Sequence, residues 1–359
     1  MSSKEQDHRI LIGFSGGADS AAAASMLLEQ GLAPTALYLR MGTHADKGLQ
    51  AAEQAASSLH IPLISLDVSG AFEHTVVQPF CRAYAGGETP NPCIICNPDI
   101  KFDALCREAD RLGIERIATG HYARIGRDQD GKPYLRRAAC IEKDQSYMLY
   151  RLSAETLNRC VFPLGEIASK QEVRSYLQER KIAVWDAPES MDICFIQEGS
   201  YTEFLKNRGV DPPEGHFVDA GGRVLGVHQG IHRYTPGQRK GLGVTFGTPM
   251  YVIGSDAGSN RVILGCEEEL YRRIVWLRDL VLTDVGAVGH VPESLQGASV
   301  EVKLRYSTGA AQAVLLAPDT EGALLLFDEL QRAPAPGQSA VLYRGDRVLG
   351  GGIIVGSSA

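Results

Sequence analysis

An apolar strand that enters a glycine turn and leaves it as an alanine-rich helix constrains this chain more than any other stretch. Ile10-Leu11-Ile12 reads as a buried strand, Gly13-Phe14-Ser15-Gly16-Gly17-Ala18-Asp19-Ser20 as the turn, and Ala21 to Gln30 as a helix closed by Gly31. A turn of this kind directs successive backbone N–H groups, and the positive end of the helix, at one point in space. That arrangement suits a phosphate. Gly16 and Gly17 let a ligand approach the backbone with no Cβ in the way, and Ser15 and Ser20 add hydroxyl donors. A Walker A loop carries Lys before its last Ser or Thr, and here that place holds Asp19. An acid beside phosphates makes physical sense as a ligand for Mg²⁺ or as an orienter of the loop.

The following segments keep the same alternation. Thr35 to Leu39 reads as a second strand, Ala45 to Leu59 as an amphipathic helix, Leu63 to Asp67 as a third strand, and Ile114 to Thr119 as a fourth. Strands alternating with helices predict an α/β fold: a parallel sheet covered on both faces, with ligands beyond the carboxyl ends of its strands. Leu39 and the exit Gly120-His121 fall at such ends, where Leu39 could touch the ligand or simply close the core. From about Lys206 the composition shifts to short strand-like pieces punctuated by Gly and Pro, and the alternation of Val300 to Tyr306 puts one face on a core. We therefore expect three domains: a nucleotide-binding domain over residues 1–205, a small central β-rich domain over 206–273, and a C-terminal β-barrel over 274–359.

Composition narrows the setting. The formal net charge of −7 argues against indiscriminate nucleic-acid binding but leaves room for a local basic groove, for which Lys143, Arg305 and the Arg239-Lys240 pair are candidates. No apolar run reaches the roughly 18 residues of a membrane span, and Met1 to Arg9 carries no signal-peptide core. The expectation is a cytoplasmic protein with no membrane partner. In such a compartment eight cysteines are thiols, metal ligands or catalysts before they are structural disulfides.

Cys93 and Cys96 form one C-x-x-C within Gly86 to Pro98, where three prolines and two asparagines predict a stiff loop without regular structure. A zinc ribbon needs a second such pair, which the chain lacks. Thiol chemistry remains, or a cluster held by this pair and a distant third cysteine, for which Cys194 is the best candidate. Cys81, Cys106, Cys140, Cys160 and Cys266 sit alone and read as packing thiols.

Ser15-Gly16-Gly17-Ala18-Asp19-Ser20 resembles the signature of the PP-loop ATP-pyrophosphatase superfamily. With Thr89 to Asn97, Thr119 to Arg124, Lys143 to Leu152, Cys194-Phe195-Ile196, Thr235 to Gly243 and Leu349 to Ile353, the chain resembles the tRNA-specific 2-thiouridylase family along nearly its whole length. The resemblance implies ATP and Mg²⁺ at Gly13, Phe14, Ser15, Gly16, Gly17, Ala18, Asp19, Ser20, Leu39 and Gly120, with cleavage to AMP and pyrophosphate. It implies Cys96 as nucleophile, Cys194 as persulfide carrier, and Asp19 as the third catalytic residue. It places tRNA against Asn91, Pro92, Cys93, His121, Lys143, Asp144, Gln145, Arg305, Tyr306 and Gln338. A sulfur donor is implied as well: a persulfide carrier, a cysteine desulfurase or sulfide.

One departure concerns Cys93, where a family form has Asp. It completes a three-thiolate set with Cys96 and Cys194, so a [4Fe–4S] cluster and a persulfide relay stand side by side as expectations, and oxidation could join Cys96 to Cys194. Two other classes stay open: a PP-loop synthetase acting on a small carboxylate or carbonyl compound, and a non-catalytic RNA-binding metal protein.

Overall fold

Ile10, Leu11 and Ile12 are fully buried because their strand lies in the middle of a sheet with neighbours on both edges. The computed structural model describes residues 8–42, 45–182, 193–196, 199–244, 247–317 and 322–358. The stretch Val184 to Asp192, which leads into the segment carrying Cys194, lies outside them. The chain divides into two compact units, one of residues 1–76, 93–195 and 345–349, the other of 77–92, 196–344 and 350–359.

In the first unit, β1 (Arg9–Gly13) pairs in parallel with β2 (Ala33–Arg40) and with β4 (Arg116–Thr119). β3 (Leu63–Asp67) extends one edge. The hairpin β5 (Arg124–Arg127) and β6 (Pro133–Arg136) comes next in the chain, and β7 (Cys160–Val161) completes the sheet in the order β3-β2-β1-β4-β7. The register sets Gly13 opposite both Leu37 and Thr119, so β1 and β4 end at one level while β2 runs on to Arg40 beside them. Helix α1 (Ala18–Glu29) covers the sheet with four consecutive fully buried alanines, Ala21 to Ala24, whose small side chains let it lie close to the strands. It begins earlier than the periodicity predicts, which puts Asp19 and Ser20 inside its first turn. Helix α2 (Ala45–Ser58) packs on β2 and β3.

The proline-rich stretch is irregular over residues 86–92, as expected, but helical from Cys93 on. Cys93–Cys96 is a turn of α-helix that continues as a π-helical turn over Asn97–Phe102 and then as an α-helix over Asp103–Leu112. Pro98 does not end it: the helix widens to a π turn at that point instead of breaking. A π turn inserted in a helix realigns the faces on either side of it.

In the second unit, β8 (Gly215–Val218), β9 (Val224–His228), β10 (Tyr251–Asp256) and β11 (Arg261–Gly265) form a sheet of order β10-β11-β8-β9 around Phe217, Val252, Val262 and Leu264. The strands β12 (Tyr271–Leu282), β13 (Ala287–Val288), β14 (Ala298–Lys303), β15 (Ala311–Leu316), β16 (Ala323–Arg332), β17 (Ser339–Arg344) and β18 (Arg347–Ser358) follow. The order β12-β16-β15-β14-β17-β18 returns to β12 through a second pairing, so the strands close into a barrel. In β14, Val300 and Val302 point inward as the alternation predicts. Among the described residues no helix is long and apolar enough to cross a membrane.

Candidate functional site

The phosphate loop takes its shape from its own hydroxyls and glycines. Ser15 Oγ accepts from Gly17 N at 3.3 Å and lies 3.2 Å from Ser20 Oγ, which donates to the Gly17 carbonyl at 3.0 Å. Gly16 has φ +77°, and a Cβ there would stand 2.5 Å from Ala52 N on α2. Phe14 is buried at 2% exposure and donates its N–H to Leu37 O, so it anchors the loop from the core side. Leu39 is half-buried at the end of β2, opposite Leu66.

β4 delivers the second wall. A Cβ on Gly120 would lie 2.9 Å from the Asp19 carbonyl carbon, so only glycine lets the β4 exit approach α1 this closely. Two residues on, the buried Tyr122 donates its phenol to Asp19 Oδ1 at 2.8 Å. Gln145 secures Tyr122 in turn: its Oε1 accepts from Tyr122 N at 3.0 Å, and its N–H donates to Tyr122 O at 2.8 Å. Sequence reasoning missed Tyr122. Its only signal was its place directly after the Gly-His pair. Asp144 is 3% exposed and accepts from Ala138 N, Ser146 N and Ser146 Oγ, so its carboxylate ties its own loop together. Lys143 is half-buried just before it.

The sulfur residues gather in the same unit. Cys96 is 4% exposed, and burial pushes its thiol up to about 12 against a smaller opposing pull from Lys101. In the free protein Cys96 is therefore a protonated thiol at neutral pH. Cys194 is exposed, and its thiol is also raised, first by the protein packed around the sulfur, with Lys101 again opposing. Lys101 is held above its usual value: burial, its largest influence, works against its charge, but Cys96, Cys93 and Cys194 together outweigh it. His121 lies 2.8 Å by Nδ1 from Thr119 Oγ1 and stacks on Phe102 at 5.9 Å. Burial, and then the charge of Lys101, depress its pKa to about 3, so it is neutral at physiological pH. Among the described residues no cysteine forms a disulfide. Among the described residues no group of three or more His, Cys, Asp or Glu converges as metal ligands, so the expected cluster set of Cys93, Cys96 and Cys194 does not form one.

In the second unit a groove of ≈ 220 Å³ is lined by Thr89, Thr235, Arg305, Tyr306, Ala335 and Gln338, among others. Gln338 donates to Thr89 O at 2.7 Å, and Arg305 donates to the carbonyls of Pro236 (3.1 Å) and Ala333 (2.6 Å). Arg305 is thus a structural tie as well as a surface cation. Asn91 is half-buried and Pro92 buried.

Comparison with known proteins agrees with this geometry. The family described as tRNA methyl transferase HUP domain matches residues 8–198, its PRC-barrel domain residues 202–266, and an aminomethyltransferase beta-barrel domain residues 278–354. The tRNA-specific 2-thiouridylase of Syntrophotalea carbinolica is 40% identical over 98% of this chain and 99% of its own. The enzyme of the same name from Acidithiobacillus ferrooxidans is 41% identical over 98% and 99%. This chain belongs to the tRNA-specific 2-thiouridylase family. The thiouridylase of Clostridioides difficile is 37% identical over 96% of this chain and 98% of its own. Among solved structures, the NMN synthetase from Francisella tularensis aligns at TM-score 0.33 and 20% identity, covering 51% of this chain and 66% of that one. In thiouridylase terms, the first unit carries the glycine loop, Asp19 and the three cysteines, and the second the β-rich modules.

Proposed function

We propose that this chain is a tRNA-uridine 2-sulfurtransferase that spends ATP, as AMP and pyrophosphate, to replace the 2-oxygen of a wobble uridine with sulfur. The observation that carries the reading is one unit holding both a phosphate loop, with Asp19 pinned by Tyr122, and the thiols of Cys96 and Cys194. The uridine oxygen is a poor leaving group, so it first attacks the α-phosphorus of ATP. That O–P bond forms as pyrophosphate departs into the N–H groups of the glycine loop and the first turn of α1. Asp19, half-exposed, is the carboxylate that would hold Mg²⁺, which when bound shields the charge growing on the pyrophosphate.

Sulfur enters at Cys194, whose exposure admits a persulfide donor. The terminal sulfur of the Cys194 persulfide attacks C2 of the uridine, and the C2–O bond breaks as AMP leaves. Cys96, as thiolate, then attacks Cys194 Sγ. A Cys96–Cys194 disulfide forms, the thiouridine sulfur is released, and an external thiol restores both cysteines with two electrons and two protons. The buried, protonated Cys96 stays inert until that point, which protects the relay from premature closure. The groove around Arg305, Tyr306 and Gln338, with Asn91 and Lys143, supplies the tRNA contacts on this reading, and the target base flips out of its loop to reach the chemistry. The test is product analysis with unmodified tRNA. AMP, pyrophosphate and 2-thiouridine should appear together and depend on tRNA, while ADP and phosphate as the only nucleotide products would refute the assignment.

A further inference from the structure

Asn97, the residue directly after Cys96, stands where an asparagine is a poor choice for stability alone. It is 1% exposed, and among the described residues its Oδ1 has no hydrogen-bond partner. A buried acceptor left without a donor costs free energy, and a leucine, with the same branched outline, would not carry that cost. What the amide supplies is a donor with a fixed aim. Its Nδ2 donates to the Met148 carbonyl at 3.0 Å.

That carbonyl belongs to a structure with a second attachment. Met148 closes the 3₁₀ turn Ser146–Met148, and its own N–H donates to the Gln145 carbonyl at 2.9 Å. Gln145 is clipped to the Tyr122 backbone through both its side chain and its N–H, and the Tyr122 phenol ends on Asp19 Oδ1. Hydrogen bonds therefore run from the cysteine-bearing helix to the carboxylate of the phosphate loop: Asn97 to Met148, Met148 to Gln145, Gln145 to Tyr122, Tyr122 to Asp19. Every member lies in the first unit. The middle of the chain is held firmly. Ser146 and Tyr147 are fully buried, and the Asp144 carboxylate takes both the N–H and the hydroxyl of Ser146. The far end of the helical segment is secured elsewhere, where Phe102 stacks on His121 at 5.9 Å. The Asn97 bond thus acts at the end where Cys96 stands.

We propose that the turn at residues 145–148 is a bracket that sets the Cys96 end of its helix at a fixed offset from Asp19, with Asn97 as the positioning residue for the sulfur-releasing step. Activation of the uridine takes place at the phosphate loop, whereas release of the thiouridine needs Cys96 to reach Cys194 Sγ. In that step the S–S bond between Cys194 and the transferred sulfur breaks as the Cys96–Cys194 bond forms, and the electron pair leaves with the thiouridine. A bracket tied to both places keeps the two events in one frame, which is how a residue that takes no part in bond making can govern a rate. The inference rests on the sulfurtransferase reading, and one arm of its test does not depend on thiolation.

The first arm compares the wild type with Asn97→Leu in a single turnover, with persulfide-loaded protein, ATP, unmodified tRNA and no added thiol. In the wild type, free 2-thiouridine should keep pace with pyrophosphate. In Asn97→Leu the pyrophosphate burst should survive, while thiouridine release slows about tenfold or more and tRNA accumulates in a thiol-cleavable adduct with Cys194. Thiouridine that kept pace with pyrophosphate in Asn97→Leu would overturn the proposal. So would a burst and a release slowed together with no adduct, the mark of a merely structural role. The second arm serves also where Asn97→Leu fails to fold. Amide hydrogen exchange of residues 94–97 is measured with and without saturating α,β-methylene-ATP and Mg²⁺. The analogue should slow exchange there several-fold in the wild type and leave it unchanged in Tyr122→Phe, which cuts the bracket at its other end. An equal response in both proteins would overturn the bracket. A wild type that makes no thiouridine yet shows this exchange difference would refute the functional reading and leave the bracket standing.

Discussion

Replacing Tyr122 with Phe isolates one contact of the phosphate site. The phenol donates to Asp19 Oδ1 at 2.8 Å, and the ring is buried at 2% exposure. Phe fills the same space, so no cavity opens and Gln145 keeps both its bonds to the Tyr122 backbone. What is lost is a hydrogen bond to a charged acceptor, worth about 1.5–3 kcal/mol. Asp19 is half-exposed, so water can replace the donor and the lower end applies. The carboxylate is no longer aimed, however. Loss of about 1.5 kcal/mol of transition-state stabilisation corresponds to about a tenfold fall in kcat/KM for ATP. The assay is tRNA-dependent pyrophosphate release, with thiouridine quantified in the same samples and a thermal melt to confirm that the fold is retained. Asp19→Ala, which removes the carboxylate itself, should abolish turnover. If Tyr122→Phe kept kcat/KM within twofold of wild type while Asp19→Ala was inactive, the phenol would not be setting the geometry of Asp19, and the reasoning would fail.

Three further outcomes follow from the same geometry. Gly16→Ala combines a left-handed φ of +77° with a Cβ 2.5 Å from Ala52 N, so it should cost about 2 kcal/mol or more, measured as a lowered melting temperature and weakened ATP binding. Arg305→Ala removes two bonds to the Pro236 and Ala333 carbonyls. It should cost about 1–3 kcal/mol in denaturant unfolding and also weaken tRNA binding, with the salt slope reduced by about one contact; an unchanged slope would leave it a purely structural residue. His121 has a folded pKa of about 3, below its unfolded value. The unfolded state therefore binds the proton first, so this contribution to stability is complete above about pH 6.5 and is lost as pH falls toward about 3. Denaturation midpoints of His121→Gln should show a shallower pH dependence across that window, and an identical slope would place the effect elsewhere.

The parallel sheet and its phosphate loop were legible because each depends on local pattern. Apolar runs bounded by turns mark the strands, and a glycine pair before an alanine helix marks the loop. The start of α1 was not, since Ala18 and Asp19 look alike in a turn and in a first helical turn until Gly120 is seen pressing on Asp19. The segment from Cys93 to Phe102 misled for a related reason. Proline density argues for a loop when counted, but the helix passes through Pro98 by widening to a π turn, which counting does not reveal.

The chemistry of the sulfur site shows the same limit more sharply. Cys93, Cys96 and Cys194 could be picked out by spacing and resemblance, but whether they are ligands or nucleophiles depends on what fills the space among them. The sequence contains Lys101 in plain view, one residue before Phe102, and nothing in its one-dimensional context separates it from a solvated lysine. Two three-dimensional facts do. Cys96 is buried, which raises its thiol, and the charge of Lys101 acts against that rise. Burial keeps the resting thiol protonated, and the opposing charge sets how easily it ionises. Reactivity at this site is therefore set by burial and charge together, which is why it appears only once the chain has folded.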